Sequence, residues 1–303
     1  MPSKNIKENL IYKKDIVLQS TSDEELEEKE HLFSKTLFNK NGKTTREIQY
    51  DEQGNITQDF EYTYDEKGNL TEKILHDDEG GFGEKVTFEY DQNGKKSREF
   101  IHYIDETYDT VVFIRNEDGL TIKKEIIDYD GDTESTEEFE YQGKNLVKHT
   151  VKDDAGQTVS VVQVTYDEKG NITEEAEQNL EEGITKIKKV EYFPSGNKKE
   201  VLTYTNDDLT GKVTMTEDEK GQIVKIIEET PYQKNTTIMK YDDSGNIVYQ
   251  EESDRKGKLI SHVTRQYDDE NKMISSQVFI DGQGRRLSRN YTLRHDYVLH
   301  EEK

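Results

Sequence analysis

No cysteine occurs in these 303 residues, so neither disulfides nor thiol chemistry contributes to the fold or the function. That absence leaves the compartment open, because it suits a bacterial surface protein as well as a cytoplasmic one. Apolar residues are also scarce. Hydrophobic residues make up 30% of the chain and charged residues 36%, which is leaner in core formers than an ordinary globular protein and approaches the composition of a disordered chain. No stretch comes near the roughly 18 apolar residues of a membrane span. The start, Met1-Pro2-Ser3-Lys4-Asn5-Ile6-Lys7, lacks the apolar run of about 7 to 15 residues that a secretory signal carries. A soluble chain is expected, cytoplasmic by the absence of a signal. Positive charge is short as well: the net charge of -24 disfavours nucleic acid and anionic membranes as partners.

The familiar signatures of chemistry are missing too. There is no nucleophile elbow, phosphate loop, dinucleotide fingerprint or zinc-binding His-Glu-x-x-His pattern. Histidines at positions 31, 76, 102, 149, 262, 295 and 300 lack ligand spacing, and the His295-Asp296 pair has no second His on its face. Asp-x-x-Gly-Asn turns could hold calcium, but the dense Asp ladder of calcium-binding solenoids is absent. The expectation is no catalytic residue, no metal and no cofactor.

What the chain does contain is a repeat. It reads Tyr64-Asp65-Glu66-Lys67-Gly68-Asn69, Tyr90-Asp91-Gln92-Asn93-Gly94, Tyr166-Asp167-Glu168-Lys169-Gly170-Asn171 and Tyr241-Asp242-Asp243-Ser244-Gly245-Asn246. Degenerate copies are Tyr192-Phe193-Pro194-Ser195-Gly196-Asn197 and Tyr267-Asp268-Asp269-Glu270-Asn271. Asp caps a reverse turn through its own side chain and Gly supplies the left-handed conformation, so each copy reads as a type I turn closed by a Gly bulge. The glycine series at 42, 68, 94, 119, 143, 170, 196, 221 and 245, with Asn271 after it, steps by roughly 24 to 27 residues. A looser series of turns falls midway, at Gly54, Gly80-Gly81, Asp105 to Tyr108, Gly131, Gly156, Gly183, Asp207 to Gly211, Pro231 to Asn235, Gly257 and Gly282. Each unit is then a hairpin of two strands of about eight residues.

Between turns the apolar residues alternate with polar ones, the period of a half-buried strand. Phe60, Tyr62 and Tyr64 share one face, as do Val86, Phe88 and Tyr90, and Val162, Val164 and Tyr166, while Glu61, Thr63, Thr87, Glu89, Gln163 and Thr165 form the water-facing set. Across the turn, Leu70, Ile172 and Ile247 belong opposite Tyr64, Tyr166 and Tyr241. A sheet with one face in water needs few apolar side chains, which reconciles the lean composition with order. The fold expected is all-β: an elongated antiparallel β-meander of about ten hairpins, or about 20 strands, twisted and curled, or else partly hollow. Residues 1–35 form an N-terminal segment, where Ser22-Asp23-Glu24-Glu25 reads as a helix start or as a solvated linker; residues 36–303 form one continuous repeat domain.

Candidate binding residues are the turn tyrosines Tyr64, Tyr90, Tyr166, Tyr192, Tyr241 and Tyr267, although strict opposition to Leu or Ile makes packing their first role. Arg285, Arg286, Arg289 and Arg294 gather in a chain otherwise poor in Arg. They pair with neighbouring carboxylates of the sheet or dock an acidic partner. The triplets Asn55-Ile56-Thr57, Asn69-Leu70-Thr71 and Asn171-Ile172-Thr173 follow from the turn sequence and carry no separate message about glycosylation.

The recurring Tyr-Asp-x-x-Gly-Asn-Ile/Leu resembles the YD-repeat or Rhs-repeat family over most of residues 36–290. That resemblance implies β-hairpin strips, which in large toxins wind into hollow shells, and a surface or secreted location as the alternative to the cytoplasm. Two departures stand out: Asn69, Asn171 and Asn246 occupy positions where family repeats usually carry Arg, and no Pro-rich shell-closing segment is present. Phe38-Asn39-Lys40-Asn41-Gly42-Lys43 and Tyr192 to Glu200 resemble the MORN-variant repeats of bacterial proteins associated with antitoxins. The function expected is a non-enzymatic binding or scaffold module offering a sheet surface to a protein or a glycan. An antitoxin-like or immunity-like protein that masks a partner is the alternative, and an enzyme of unrecognised type comes third.

Overall fold

The computed structural model describes residues 5–16, 29–77, 81–282 and 287–301. Among these residues there are twenty-two strands and no helix, so none is a membrane-crossing helix, a statement that leaves crossing by strands untouched. The chain divides into two compact units, one of residues 1–62 and 215–303, the other of residues 63–214. The chain opens with β1 (Ile6–Asp15), β2 (Glu30–Phe38), β3 (Thr44–Tyr50) and β4 (Ile56–Tyr64). Next come β5 (Leu70–His76), β6 (Phe82–Tyr90), β7 (Lys96–His102), β8 (Tyr108–Arg115), β9 (Thr121–Ile127) and β10 (Thr133–Gln142). Then follow β11 (Asn145–Lys152), β12 (Thr158–Tyr166), β13 (Ile172–Asn179), β14 (Ile184–Tyr192), β15 (Lys198–Thr205) and β16 (Asp208–Glu217). The last are β17 (Ile223–Glu229), β18 (Lys234–Tyr241), β19 (Ile247–Ser253), β20 (Leu259–Tyr267), β21 (Met273–Ile280) and β22 (Arg289–Leu299).

In the unit of residues 63–214, consecutive strands from β5 to β16 pair antiparallel, a plain meander. The other unit differs at the chain ends. There β1 pairs with β2 on one side and with β22 on the other, from Ile6 opposite Leu299 to Asp15 opposite Tyr291. The first and last strands are thus joined edge to edge, a pairing that the expected elongated meander did not include. An unpaired edge leaves a row of main-chain donors and acceptors exposed, and pairing the terminal strands satisfies both rows together. Strand β1 arises inside the segment expected to stand outside the repeat. The acidic run for which a helix or linker was expected falls almost wholly outside the described residues.

The turn chemistry follows the sequence closely. In Asp167–Asn171 the Gly170 amide donates to the Asp167 carbonyl (3.0 Å) and the Asp167 amide to the Asn171 carbonyl (2.9 Å), with Gly170 at φ +84°. This is a type I turn with a Gly bulge, and the same pair of bonds recurs in both turn series, for example at residues 51–55, 128–132 and 254–258. Asp167 Oδ1 accepts from the amides of Lys169 and Asn171, while Oδ2 accepts from the Asn171 side chain at 2.9 Å. Asp51, Asp65 and Asp242 hold Asn55, Asn69 and Asn246 in the same way, so the Asn of each glycosylation-like triplet has its amide engaged in the turn. These hydrogen bonds, from the Asn side chain first, hold the carboxyls of Asp51, Asp65, Asp167 and Asp242 below their ordinary pKa.

Beyond the turn, Tyr166 stands opposite Ile172 and Tyr241 opposite Ile247. The two-faced alternation holds near these turns: Val162, buried Val164 and Tyr166 are covered while Gln163 and Thr165 are exposed. It fails farther along the strands. Phe113 pairs with Lys124 and Lys124 with Glu137, so one face carries aromatic and charged side chains side by side. Buried hydrophobic residues among those described are Ile6, Ile48, Val164 and Met239, a thin core for so long a sheet. Polar groups share the burial: Asp59 is only 6% exposed and takes a two-pronged ion pair from Arg46, at 2.8 and 2.5 Å.

Candidate functional site

Five of the six turn tyrosines, Tyr90, Tyr166, Tyr192, Tyr241 and Tyr267, direct their hydroxyls to the main chain rather than to solvent. Each described tie runs from a tyrosine back to the main chain of the preceding hairpin. Tyr90 donates to the Leu70 carbonyl (2.7 Å), Tyr166 to Leu146 (2.8 Å), Tyr192 to Ile172 (2.8 Å), Tyr241 to Ile223 (2.7 Å) and Tyr267 to Ile247 (3.2 Å). Tyr141 and Tyr297, which the repeat pattern does not single out, do the same to Thr121 (2.8 Å) and Met273 (2.9 Å). Each acceptor lies at or next to the start of the strand that leaves the previous turn of this series. The tyrosine therefore couples successive hairpins as well as packing within its own. Burial raises the phenol pKa of Tyr90, Tyr141, Tyr192, Tyr241 and Tyr297 above the ordinary value. Tyr64 ends β4 half-buried.

The arginines divide. Arg294 donates to both oxygens of Glu30 (3.1 and 2.8 Å), contacts Asp296, and lies 4.3 Å from the Tyr12 ring centroid, so it spans β22, β1 and β2 where the chain ends join. The hydrogen bonds it donates to Glu30 and Asp296 raise its pKa further. Arg289 is exposed at the start of β22, and Arg285 and Arg286 lie outside the described residues. Beside Arg294, His295 is buried opposite Ile11 and stacks near Tyr297 at 6.3 Å, with neither ring nitrogen hydrogen-bonded; burial lowers its pKa. Among the described residues, no group of three or more His, Asp or Glu side chains is placed to hold a metal ion.

A different place gathers exposed groups. In the unit of residues 63–214, the turns 103–107 and 128–132 of the looser series flank a cleft of about 800 Å³. Its lining includes Tyr103, Ile104 and Tyr129 with the carboxylates Asp105, Asp109, Asp128 and Glu134, and among its ten lining residues there is no Lys or Arg. Ile104 is 79% exposed and Tyr129 62%. Tyr103 donates a short hydrogen bond to Asp109, which raises the phenol pKa, and Asp130 and Asp128 raise that of Tyr129. His102 backs the cleft, its Nε2 2.9 Å from Thr87 Oγ1.

The 103–107 turn departs from its relatives at three positions. Tyr103 stands where most have Asp, Ile104 occupies the tip, and Glu106 takes the Gly position at φ +71°, strained for a residue with a side chain. Sequence reading placed a turn here but assigned no site, because it followed the tyrosines of the stronger series. The signal available was an apolar tip in two neighbouring turns. In the other unit, a second opening is lined by Tyr232, Arg255, Lys256 and Lys258, with Lys258 paired to Asp281 at 2.6 Å.

No family model matches the chain, and no curated protein matches it. Solved structures similar to it include a TcdB2-TccC3 toxin complex without its hypervariable C-terminal region, 13% identical, with 87% of this chain aligned to 19% of that one at a TM-score of 0.41. The Photorhabdus luminescens Tc holotoxin pore is 11% identical over 84% of this chain and 20% of its own, at a TM-score of 0.32. A porin-like protein from Bacteroides uniformis is 14% identical over 98% of both chains, also at 0.32. The chain thus spans about a fifth of the toxin chains.

Proposed function

We propose that this chain is a non-enzymatic binding module of YD-type repeats that presents the cleft between turns 103–107 and 128–132 to a protein partner. One observation carries the reading. Turns of this backbone type place Lys40, Glu52, Glu66, Gln92, Glu117, Asp154, Glu168, Glu219, Asp243, Arg255 or Asp269 at the tip, and one places Pro194. The two turns flanking the cleft place Ile104 and Tyr129 there. An apolar side chain at a turn tip has no packing role and is unfavourable in water, so two on neighbouring turns mark a surface that a partner covers. The strained Glu106 beside them supports the same reading, because backbone strain concentrates where a site requires a particular shape.

The test compares the wild-type chain with a Tyr103→Ser/Tyr129→Ser variant as bait in a lysate of the source cells. A protein retained by the wild type and lost by the variant, with thermal unfolding unchanged, supports the reading. Equal retention by both baits removes the cleft from the function.

A further inference from the structure

The cleft's chemistry points to the kind of partner, and this step rests on its being a binding surface. Elsewhere in the same unit, aromatic rings and carboxylates occur together around a lysine of the chain itself. Lys96 Nζ lies 4.2 Å from the Phe88 ring centroid and 2.9 Å from Glu99. Lys124 Nζ lies 5.3 Å from the Phe139 centroid and 3.1 Å from Glu137, and Lys189 stands 5.8 Å from Tyr204 and 3.6 Å from Glu174. An ammonium between a ring face and a carboxylate gains from both, more so where water is partly excluded. The cleft also brings aromatic and acidic groups together twice, Tyr103 with its hydroxyl on Asp109 and Tyr129 next in sequence to Asp128 and Asp130. No Lys or Arg stands among its lining residues.

We infer that the partner supplies the cations: the cleft binds an extended protein segment carrying lysine or arginine side chains, one against each tyrosine. The spacing fits a peptide. The two turns are separated by two strand positions, about 10 Å, which an extended chain covers in about three residues. A bare metal ion fits less well, since Asp128 Oδ1 already accepts from the Asp130 and Asp132 amides, and Asp105 Oδ1 from the amide and hydroxyl of Thr107.

The experiment measures binding of a fluorescent Arg-Ser-Ser repeat peptide and its Glu-Ser-Ser counterpart to the full chain at low salt. The Arg peptide is expected to bind and the Glu peptide not. Tyr129→Ser, at an exposed position, should weaken the Arg peptide about fivefold to tenfold, and Asp109→Asn with Glu134→Gln by at least as much. A control, Glu181→Gln with Glu182→Gln, removes two exposed charges from another turn of the unit and should leave affinity unchanged. Because the chain carries a net charge of -24, diffuse attraction is the competing explanation. Equal weakening by the control and the cleft variants overturns the inference, as does absence of Arg-peptide binding. If the Tyr103→Ser/Tyr129→Ser bait still loses its cellular partner while the Arg peptide fails to bind, the binding-module reading stands and the cationic segment is refuted.

Discussion

Replacing Tyr90, Tyr141, Tyr166 and Tyr192 together with Phe should destabilise the unit of residues 63–214 by about 4 kcal/mol. Each substitution keeps the ring and removes one hydroxyl, which donates to a main-chain carbonyl at 2.7, 2.8, 2.8 and 2.8 Å respectively. A neutral hydrogen bond of this kind contributes about 1 kcal/mol net, and no cavity is opened because the ring remains. The four sit on separate strands, β6, β10, β12 and β14, so their effects should add. Denaturant unfolding followed by circular dichroism gives the measurement, with Tyr232→Phe as control because that side chain is 98% exposed. The control should stay within about 0.5 kcal/mol of wild type. A combined loss below about 1 kcal/mol would refute the claim that these tyrosines tie hairpin to hairpin. The same variant tests the alkaline side. Burial raises the folded-state pKa of Tyr90, Tyr141 and Tyr192, so their contribution is complete below the unfolded value of about 10 and is lost as pH rises through the folded value. The Phe variant should therefore lose less stability than wild type in that window.

Glu106→Gly should stabilise the protein by about 0.5 to 1 kcal/mol, since it relieves a left-handed backbone at φ +71°, whereas Gly170→Ala at φ +84° should cost about 1 kcal/mol even though the added carbon meets open space. Thermal midpoints of the two variants moving in the same direction would contradict the turn geometry. Arg46→Met strands the buried carboxylate of Asp59 and should cost about 2 to 3 kcal/mol, well above the loss from an exposed pair such as Lys199 with Glu191, as denaturant midpoints would report. His295 has its pKa lowered by burial, so its contribution is complete above the unfolded value of about 6.5 and is lost as pH falls through the folded value. His295→Phe should flatten the stability profile just below neutrality and leave the steeper loss near the Asp range unchanged, read by unfolding midpoints across pH.

Local chemistry was the legible part of this sequence. Asp167, Gly170 and Asn171 make their turn almost entirely among themselves, so the type and position of each hairpin could be read from five residues. The opposition of Tyr166 to Ile172 follows from the same turn. What sequence reading missed depends on partners far along the chain. The Tyr166 hydroxyl finds a carbonyl 20 residues earlier because the intervening hairpin sets the register, and no local pattern announces that acceptor. Strand β1, reading Ile6-Lys7-Glu8-Asn9-Leu10-Ile11-Tyr12, lacks the repeat, and its pairing with β22 joins residues at opposite ends of the chain. Period-two alternation also misled where Lys124 sits between Phe113 and Glu137, since an ammonium balanced by a ring and a carboxylate can occupy a position reserved on paper for an apolar residue. The cleft was visible only as two apolar tips, Ile104 and Tyr129, against tips that are polar or charged except for Pro194.

We propose a division of labour among tyrosines: those beside the turns of the roughly 24- to 27-residue series hold the sheet, and those of the 103–107 and 128–132 turns meet a partner. The most direct measurement sets the Tyr90/Tyr141/Tyr166/Tyr192→Phe variant beside the Tyr103/Tyr129→Ser variant and reads unfolding midpoint and partner retention on both. The account predicts that the first loses stability and keeps its partner, while the second keeps stability and loses its partner. The opposite pattern, or loss of both properties in each, would contradict it.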